Sequence, residues 1–151
     1  MISVTCQILE DTLGDLHKGG EYNNESVALW LGRPEGDGLV ALEVYSPYHT
    51  ADVDYFRIPT QSMRALMDHL HESRMRIVAQ VHTHPREAFH SKADDRWAVI
   101  THKGAVSIVL PFFARGIDAD SFPARSAVFR LSGSGRWEGV PFGAVVRVTP
   151  C

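Results

Sequence analysis

An apolar run that ends in two histidines constrains this chain more than any other stretch. Residues 77–81 (IVAQV) are followed directly by His82-Thr83-His84-Pro85. A short, nearly continuous apolar run predicts a strand that is buried on both faces. Side chains at positions i and i+2 of a strand lie on the same face. We therefore expect His82 and His84 to converge at the carboxyl end of a buried strand, where open α/β sheets tend to place their active sites.

A carboxylate follows the histidine pair after a short loop. The pattern Ser91-x-x-Asp94 is typical of a helix start, so Asp94 is expected where the next element begins. Two imidazoles and one carboxylate form the ligand set of a catalytic zinc site that keeps one position open for water. Asp95 is the alternative third ligand. The Ser-x-x-Asp spacing favours Asp94 and leaves Asp95 for helix-start electrostatics or a contact outside the ligand shell.

Such a hydrolytic site needs a base that takes a proton from water and passes it to the leaving amine. Glu25 is the candidate, because it is the last acid before an uncharged run over residues 26–32 that predicts the neighbouring strand. Each feature also has an ordinary interpretation: a surface histidine pair, a capping box without catalytic meaning, and a solvated acid. Their occurrence together and in this order favours the metal site.

The remaining pattern predicts an α/β fold with a mixed sheet, because helices alternate with buried strands. Helices are predicted over residues 3–17, from Thr60 onward with Met63, Leu66, Met67 and Leu70 in one stripe, and from Ser91 to Thr101. Strands are predicted at residues 25–32, 39–45, 55–58, 77–81, 105–110, 127–131, 136–140 and 144–148. Residues 33–38 are expected to form a turn.

Two loops are the candidate walls of a substrate groove. They are residues 46–54 and residues 111–125, the latter carrying Phe112, Phe113 and Phe122. The alternative is that these three aromatic rings fill the core.

The histidines outside the pair show no spacing typical of metal ligands. His17, His49 and His102 have no partner at a suitable spacing. The side chains of His69 and His71 diverge on a helix and are expected to be solvated or at the edge of its apolar face. His90 lies in the loop between the predicted ligands and is expected at the surface, with a contact to a metal ligand as the alternative.

Bulk properties narrow the class of protein. A length of 151 residues predicts one domain, residues 1–151. The net charge of −3 gives no electrostatic case for nucleic acid. No stretch approaches the roughly 18 apolar residues of a membrane span, and the amino terminus lacks a secretory signal. Cys6 and Cys151 allow one bridge but no disulfide framework, so we expect two reduced thiols and a cytoplasmic location.

With these residues assembled, the sequence resembles the JAB/MPN family of zinc metallopeptidases, the JAMM-motif proteases, in its compact bacterial form. The family pattern is an upstream Glu, then His-(Ser/Thr)-His-Pro, then Ser-x-x-Asp, and the chain has Glu25, residues 82–85 and residues 91–94 in that order. Ala28 stands where the family has glycine. Six residues separate His84 from Ser91 where the family has seven, so the choice between Asp94 and Asp95 stays open. The likeness covers about residues 6–110.

The resemblance implies a cytidine-deaminase-like α/β fold of three layers, with a central mixed, curved sheet flanked by helices. It implies Zn²⁺ bound by His82, His84 and Asp94, with Glu25 as general acid/base. Ser91 would then stabilise the oxyanion of the tetrahedral intermediate by donating a hydrogen bond to developing charge.

The activity implied by the resemblance is that of a zinc metallopeptidase of the isopeptidase or deubiquitinase-like kind. It would hydrolyse the peptide or isopeptide bond after the C-terminal tail of a ubiquitin-like protein, in bacterial conjugation or antiphage systems with E1-like and E2-like enzymes as partners. The alternatives are a processing peptidase for a sulfur-carrier protein and a non-catalytic scaffold. Scaffold members have typically lost ligands that this chain keeps.

Overall fold

The structure is a computed structural model that describes residues 1–47, 49–51, 56–89 and 98–150. Its strands are β1 (Ile2–Thr5), β2 (Val27–Glu35), β3 (Gly38–Tyr45), β4 (Thr50–Ala51), β5 (Phe56–Arg57), β6 (Arg76–Thr83), β7 (Val106–Leu110), β8 (Ala127–Leu131), β9 (Trp137–Val140) and β10 (Val146–Thr149). Its longer helices are α1 (Cys6–Gly20) and α2 (Thr60–Ser73), and one-turn helices span Phe122–Arg125 and Phe142–Val145.

Eight of the strands form a central sheet in the order β10-β1-β3-β2-β6-β7-β8-β9. The sheet is mixed: β2 pairs antiparallel with both β3 and β6, whereas β6 pairs parallel with β7 and β1 pairs parallel with β3 and β10. β4 and β5 form a separate two-stranded ribbon. The α/β class with a central mixed sheet is thereby confirmed, and β2 and β6 lie side by side at its middle as expected.

The two longer helices cover opposite faces of the sheet. Alternate residues of β2 point to opposite faces, so Ala28 and Trp30 pack with α1 while Val27, Leu29 and Leu31 pack with Leu66 of α2. The result is the expected arrangement of three layers, helix on sheet on helix.

The amino-terminal helix begins later than predicted. Residues 2–5 form β1, because Ile2 and Val4 alternate with Ser3 and Thr5 and are buried on one side of the strand. The Thr5 hydroxyl accepts a hydrogen bond from the Ile8 N–H (3.3 Å) and so caps α1. Cys6 and the leucines that follow it keep the predicted helical spacing, and the helix continues to Gly20, three residues past the predicted end.

The turn between β2 and β3 is shorter than the predicted residues 33–38. β2 runs on to Glu35, and the reversal occurs at Gly36, whose φ of +57° suits glycine. Pro34 is tolerated because the pairing of β2 with β6 already ends at Gly32, so the missing N–H of Pro34 faces no strand on that side.

Four further predictions need correction. Met67 is 58% exposed, so the face of α2 that packs on the sheet consists of the buried Leu66 and the partly buried Met63 and Leu70. Residues 98–101 are not helical, which overturns the carboxyl end of the helix predicted from Ser91; residues 90–97 lie outside the described residues. The segment 111–125 holds a helical turn at Phe122–Arg125 instead of loop throughout. The last strand begins at Val146, because Phe142–Val145 forms a helical turn before it.

Cys6 is disulfide-bonded, so the expected reduced thiol is wrong at this position. The reason is tertiary: β10 pairs parallel with β1 and places Thr149 beside Thr5, which brings the carboxyl terminus to the start of α1. Cys151 itself lies outside the described residues. Because disulfides are rare in reducing compartments, this bond weakens the case for the predicted cytoplasmic location.

Among the described residues, none of the helices combines the length and apolar character needed to cross a membrane.

Candidate metal centre

The histidine pair lies at the carboxyl end of β6, in the middle of the sheet. His82 is opposite Val27 of β2 on one side and Val109 of β7 on the other, and its side chain is fully buried. His84 follows the last residue of the strand and is 3% exposed. Its backbone N–H donates to the Leu110 carbonyl (2.8 Å), so the backbone remains hydrogen-bonded beyond the end of β6.

The structure brings the two imidazoles together, as the spacing of the sequence predicts. Their ring centroids are 5.3 Å apart and the ring planes are inclined by 46°. Phe89, which is about half exposed, packs edge-on against His84 with a centroid distance of 4.6 Å. Two buried imidazoles at the carboxyl end of one strand can supply the nitrogen donors of a zinc ligand set.

Glu25 is brought to the same place from the neighbouring strand. Its side chain is 1% exposed, and its Oε1 lies 3.9 Å from His84 Nε2. Burial of a carboxylate costs free energy unless other groups compensate it. Ionisable groups gathered in this way therefore mark a functional-site candidate on physical grounds.

The middle residue of the His-Thr-His sequence fixes Glu25 beside the pair. The Thr83 N–H donates to the Ser26 carbonyl (3.0 Å), and the Ser26 N–H donates to Thr83 Oγ1 (3.0 Å). These two bonds hold the residue after Glu25 against the residue between the histidines. Sequence reasoning missed this role of Thr83, although its position between two predicted ligands was a usable signal.

The other predicted site residues lie outside the described part of the chain. Ser91, Asp94 and Asp95 all fall within residues 90–97, so the oxyanion donor and the third ligand stay predictions. Within the described ranges, no group of three His, Cys, Asp or Glu side chains gathers closely enough to hold an ion. The described donors therefore fit zinc as a partial set: two buried imidazoles with a carboxylate close to one of them.

A cavity of about 210 Å³ lies beside Glu25. Its lining comes from the end of α1, from the lead into β2 and from the segment after β3, including Asp15, Ser46 and His49. The Ser46 hydroxyl donates to Asp15 Oδ2 (2.6 Å), and His49 Nδ1 donates to the Pro47 carbonyl (2.8 Å). His49 and Ser46 belong to the predicted groove segment 46–54, and this cavity gives that segment access to Glu25.

The second predicted groove segment behaves differently. Phe122 is fully buried against Trp30, with ring centroids 6.3 Å apart, and Phe113 is also buried, so both rings fill the core. Phe112 is exposed.

Two of the other histidines have hydrogen-bond partners that their sequence spacing did not indicate. His17 bonds the Ala114 carbonyl (2.8 Å), and His69 bonds the Glu43 carboxylate (2.9 Å).

Comparisons with known proteins point in one direction. Residues 16–111 match the family described as prokaryotic homologs of the JAB domain. A probable metalloprotease, y4jG of Sinorhizobium fredii, is 32% identical over 137 residues, which cover 88% of this chain and 83% of that protein. The solution structure of protein DSY2949 from Desulfitobacterium hafniense aligns with a TM-score of 0.71 at 17% identity, covering 100% of this chain and 94% of that one. At that identity the likeness shows the fold alone.

Proposed function

The chain belongs to the prokaryotic JAB-domain family, and we propose that it is a zinc-dependent peptidase whose site is built on His82, His84 and Glu25. One observation carries this proposal. Two buried imidazoles lie side by side at the end of a central strand, and a buried carboxylate from the adjoining strand lies 3.9 Å from one of them. The relative described as a probable metalloprotease supports the same class of activity.

We assign the zinc ligands to His82, His84 and Asp94, with Asp95 as the alternative to Asp94. When bound, zinc supplies Lewis acidity toward water and toward the carbonyl group of the substrate. The imidazoles contribute neutral nitrogen donors, because a ligating histidine must have lost its proton at the nitrogen that binds. Burial of both rings fixes their orientation before an ion arrives and keeps competing solvent away from them.

Glu25 moves the proton in this proposal. Its carboxylate takes a proton from the attacking water, and the resulting acid gives that proton to the leaving amine. The Ser26–Thr83 hydrogen bonds hold Glu25 in reach of the histidine pair, so little rearrangement is needed during the reaction. Ser91 is the proposed donor to the oxyanion that develops on the substrate carbonyl.

The proposed substrate is the C-terminal tail of a ubiquitin-like protein, cut at the peptide or isopeptide bond that follows the tail. An extended tail binds well to an exposed strand edge, where backbone hydrogen bonds hold it. We propose that the tail pairs with the ribbon of β4 and β5, because β4 directly follows His49, which lines the cavity beside Glu25. Conjugation enzymes of the E1-like and E2-like kinds are the proposed partners of such a reaction.

The test is cleavage of tail-linked substrates by the zinc-loaded protein and by Glu25→Gln. We expect the wild type to release a ubiquitin-like protein from a C-terminal fusion or an isopeptide conjugate. Glu25→Gln should be slower by about 10²–10⁴-fold, the usual contribution of acid–base catalysis, with its zinc content unchanged. Glu35→Gln, an exposed change further along β2, is the matched control.

Three outcomes would redirect the proposal. Equal rates for the wild type and Glu25→Gln would remove Glu25 from the mechanism. Cleavage of a sulfur-carrier fusion alone would favour the processing peptidase. A zinc-loaded protein that cuts none of the fusions, the conjugate or an unfolded general peptidase substrate would contradict the assignment of a peptidase.

A further inference from the structure

The segment after β7 adopts a backbone conformation that L-residues normally avoid. Phe112, Phe113 and Ala114 have φ values of 52°, 53° and 61°, so three successive residues that are not glycine lie in the left-handed region. The left-handed conformation of each residue is destabilised because Cβ comes too close to the following carbonyl oxygen. Left-handed residues therefore usually occur singly. A run of three persists only where the surrounding structure over-determines it, and such strain clusters at functional sites.

Helix α1 supplies the contacts that hold this turn. His17 Nε2 donates to the Ala114 carbonyl (2.8 Å), and Arg115 donates to the Gly20 carbonyl (2.8 Å). Gly20 itself leaves room for the turn, because a Cβ at that position would lie 3.0 Å from the Phe113 carbonyl oxygen. The end of α1 is thus shaped to receive the Phe112–Ala114 turn.

The other side of the turn holds the backbone of the candidate zinc ligand. The Phe113 N–H donates to the His84 carbonyl (2.7 Å), and the Phe112 N–H donates to the Arg86 carbonyl (3.0 Å). The peptide plane that carries the Phe113 N–H follows the φ and ψ of Phe112, so the direction of this N–H depends on the left-handed conformation of Phe112. Together with the bond from the His84 N–H to Leu110, these contacts hold His84 through both its N–H and its carbonyl group.

The same unit also reaches the segment that leads to Glu25. Arg115 donates to the Asn23 side chain as well as to Gly20, and its guanidinium lies 5.1 Å from the centre of the Phe113 ring. Asn23 precedes Glu25 by two residues. The turn therefore bonds the His84 segment directly, and Arg115, the residue after it, bonds the segment that leads to Glu25.

We propose that the Phe112–Ala114 turn is a positioning unit that holds the His84 backbone in place for metal binding. The strain of its left-handed residues is retained because a relaxed turn would aim the Phe113 N–H away from the His84 carbonyl. This inference rests on the proposed function, in which His84 is a zinc ligand. Groups that orient a ligand in this way commonly change metal affinity when they are altered.

A pair of substitutions at Phe112 separates backbone conformation from loss of the ring. Phe112 is 47% exposed, so removing the ring costs little packing in either variant. Phe112→Asn keeps a residue that tolerates the left-handed region, whereas Phe112→Val introduces a β-branched residue that strongly disfavours it. A merely structural contribution of the ring would make the two variants alike.

Two measurements are made on the wild type and on both variants. Hydrogen exchange of the Phe113 and His84 amides in metal-free protein reports the turn without any zinc. Competition with a chromophoric chelator reports zinc affinity, with His84→Ala as the reference that lacks the ligand. We expect protected amides and unchanged zinc affinity in Phe112→Asn. In Phe112→Val we expect loss of that protection and a zinc affinity lower by about tenfold or more.

The outcomes distinguish this inference from the proposed function. Wild-type zinc affinity no greater than that of His84→Ala would overturn the proposed zinc site, and with it the role of the turn in metal binding. Tight zinc binding by the wild type combined with wild-type affinity in Phe112→Val would overturn the positioning role alone. Rapid exchange of the Phe113 amide in the wild type would do the same, since the bond to His84 would then be absent in solution.

Discussion

The two faces of the central sheet bury different kinds of side chain. The face that carries α1 is apolar and large, and its Trp30 packs on Phe122 while its indole N–H donates to the Thr12 hydroxyl (2.8 Å). The face that carries α2 has a small apolar cluster around Leu66. Beside that cluster lie buried polar residues of β6 and β7, since Gln80 is in register with Leu29 and Ser107, and His82 is in register with Val27.

This difference separates what folds the chain from what gives it chemistry. Apolar burial on the α1 face supplies free energy of folding in proportion to the apolar area removed from water. The buried polar groups of Trp30 and Thr12 on this face are hydrogen-bonded to each other. Buried polar groups on the α2 face supply little stability and are expensive when they lose a partner. A chain keeps such groups where they are needed for function. The α2 face ends in His82, His84 and Glu25, which is where we place the site.

The largest expected effect comes from His84→Ala. Removing one imidazole from the pair should abolish both zinc binding and peptidase activity, while the metal-free protein keeps its fold because the α1 core is untouched. Chelator competition and far-UV circular dichroism measure the two properties. His71→Ala, an exposed histidine on α2, is the matched control. Retention of tight zinc binding in His84→Ala would break the comparison, because the α2 face would then not hold the metal.

Trp30→Ala tests the opposite face. Trp30 is fully buried, donates to Thr12 and packs on Phe122, so truncation should lower the free energy of unfolding by about 3–5 kcal/mol. Urea titration measures the change. Met67→Ala, at an exposed position on α2, should stay within about 0.5 kcal/mol of the wild type. A loss in Trp30→Ala no larger than that in Met67→Ala would contradict the contribution of the α1 face to stability.

Cys6→Ser tests how much the disulfide at the start of α1 adds to the stability of the α1 layer. Cys6 is the first residue of α1 and is disulfide-bonded, so its loss should lower the free energy of unfolding by about 2–4 kcal/mol. Thermal unfolding with and without reductant measures the effect. Reductant should destabilise the wild type and leave Cys6→Ser unchanged. A wild type that is insensitive to reductant would contradict the disulfide.

The smallest expected effect concerns the helical turn that carries Phe122. The backbone N–H of Ser121, followed by its hydroxyl, holds the pKa of the Asp118 carboxyl below its ordinary value. Because the folded pKa is lower than the unfolded one, this stabilisation is present above the unfolded pKa of about 3.9. It is lost as the pH falls through the folded pKa. Ser121→Ala should raise the pKa of Asp118, as measured by carboxyl NMR titration, and an unchanged pKa would show that the hydroxyl contributes nothing.

Local patterns sufficed where one element determines its own structure. The apolar run before the His-x-His sequence predicted β6, and the runs at residues 127–131 and 136–140 predicted β8 and β9, because the burial pattern of a strand is encoded within a few residues. The pairing of β2 with β6 followed from placing Glu25 beside the histidines. The predictions of β6, β8 and β9 needed no knowledge of distant contacts, whereas that of the β2–β6 pairing rested on the shared role assigned to Glu25 and the histidines.

Features that depend on contacts between distant parts of the chain could not be predicted from the sequence. β1 was merged with α1 because four residues cannot establish a period, and its strand character comes from pairing with β3 and β10. The disulfide of Cys6 depends on the same pairing with β10. The Phe112–Ala114 turn contains no glycine, so the sequence gives no signal of its left-handed backbone. That conformation is held by contacts with α1 on one side and with the His84 segment on the other.

The central claim is that His82 and His84 share one metal ion next to Glu25. A crystal structure of the zinc-loaded protein, with anomalous scattering recorded at the zinc edge, tests it most directly. The account predicts one zinc per chain, bound by an imidazole nitrogen of each histidine at about 2.0–2.1 Å, with a carboxylate from residues 94 or 95 as the third ligand. A zinc ion bound elsewhere, or two imidazoles that share no ion at saturating zinc, would contradict it.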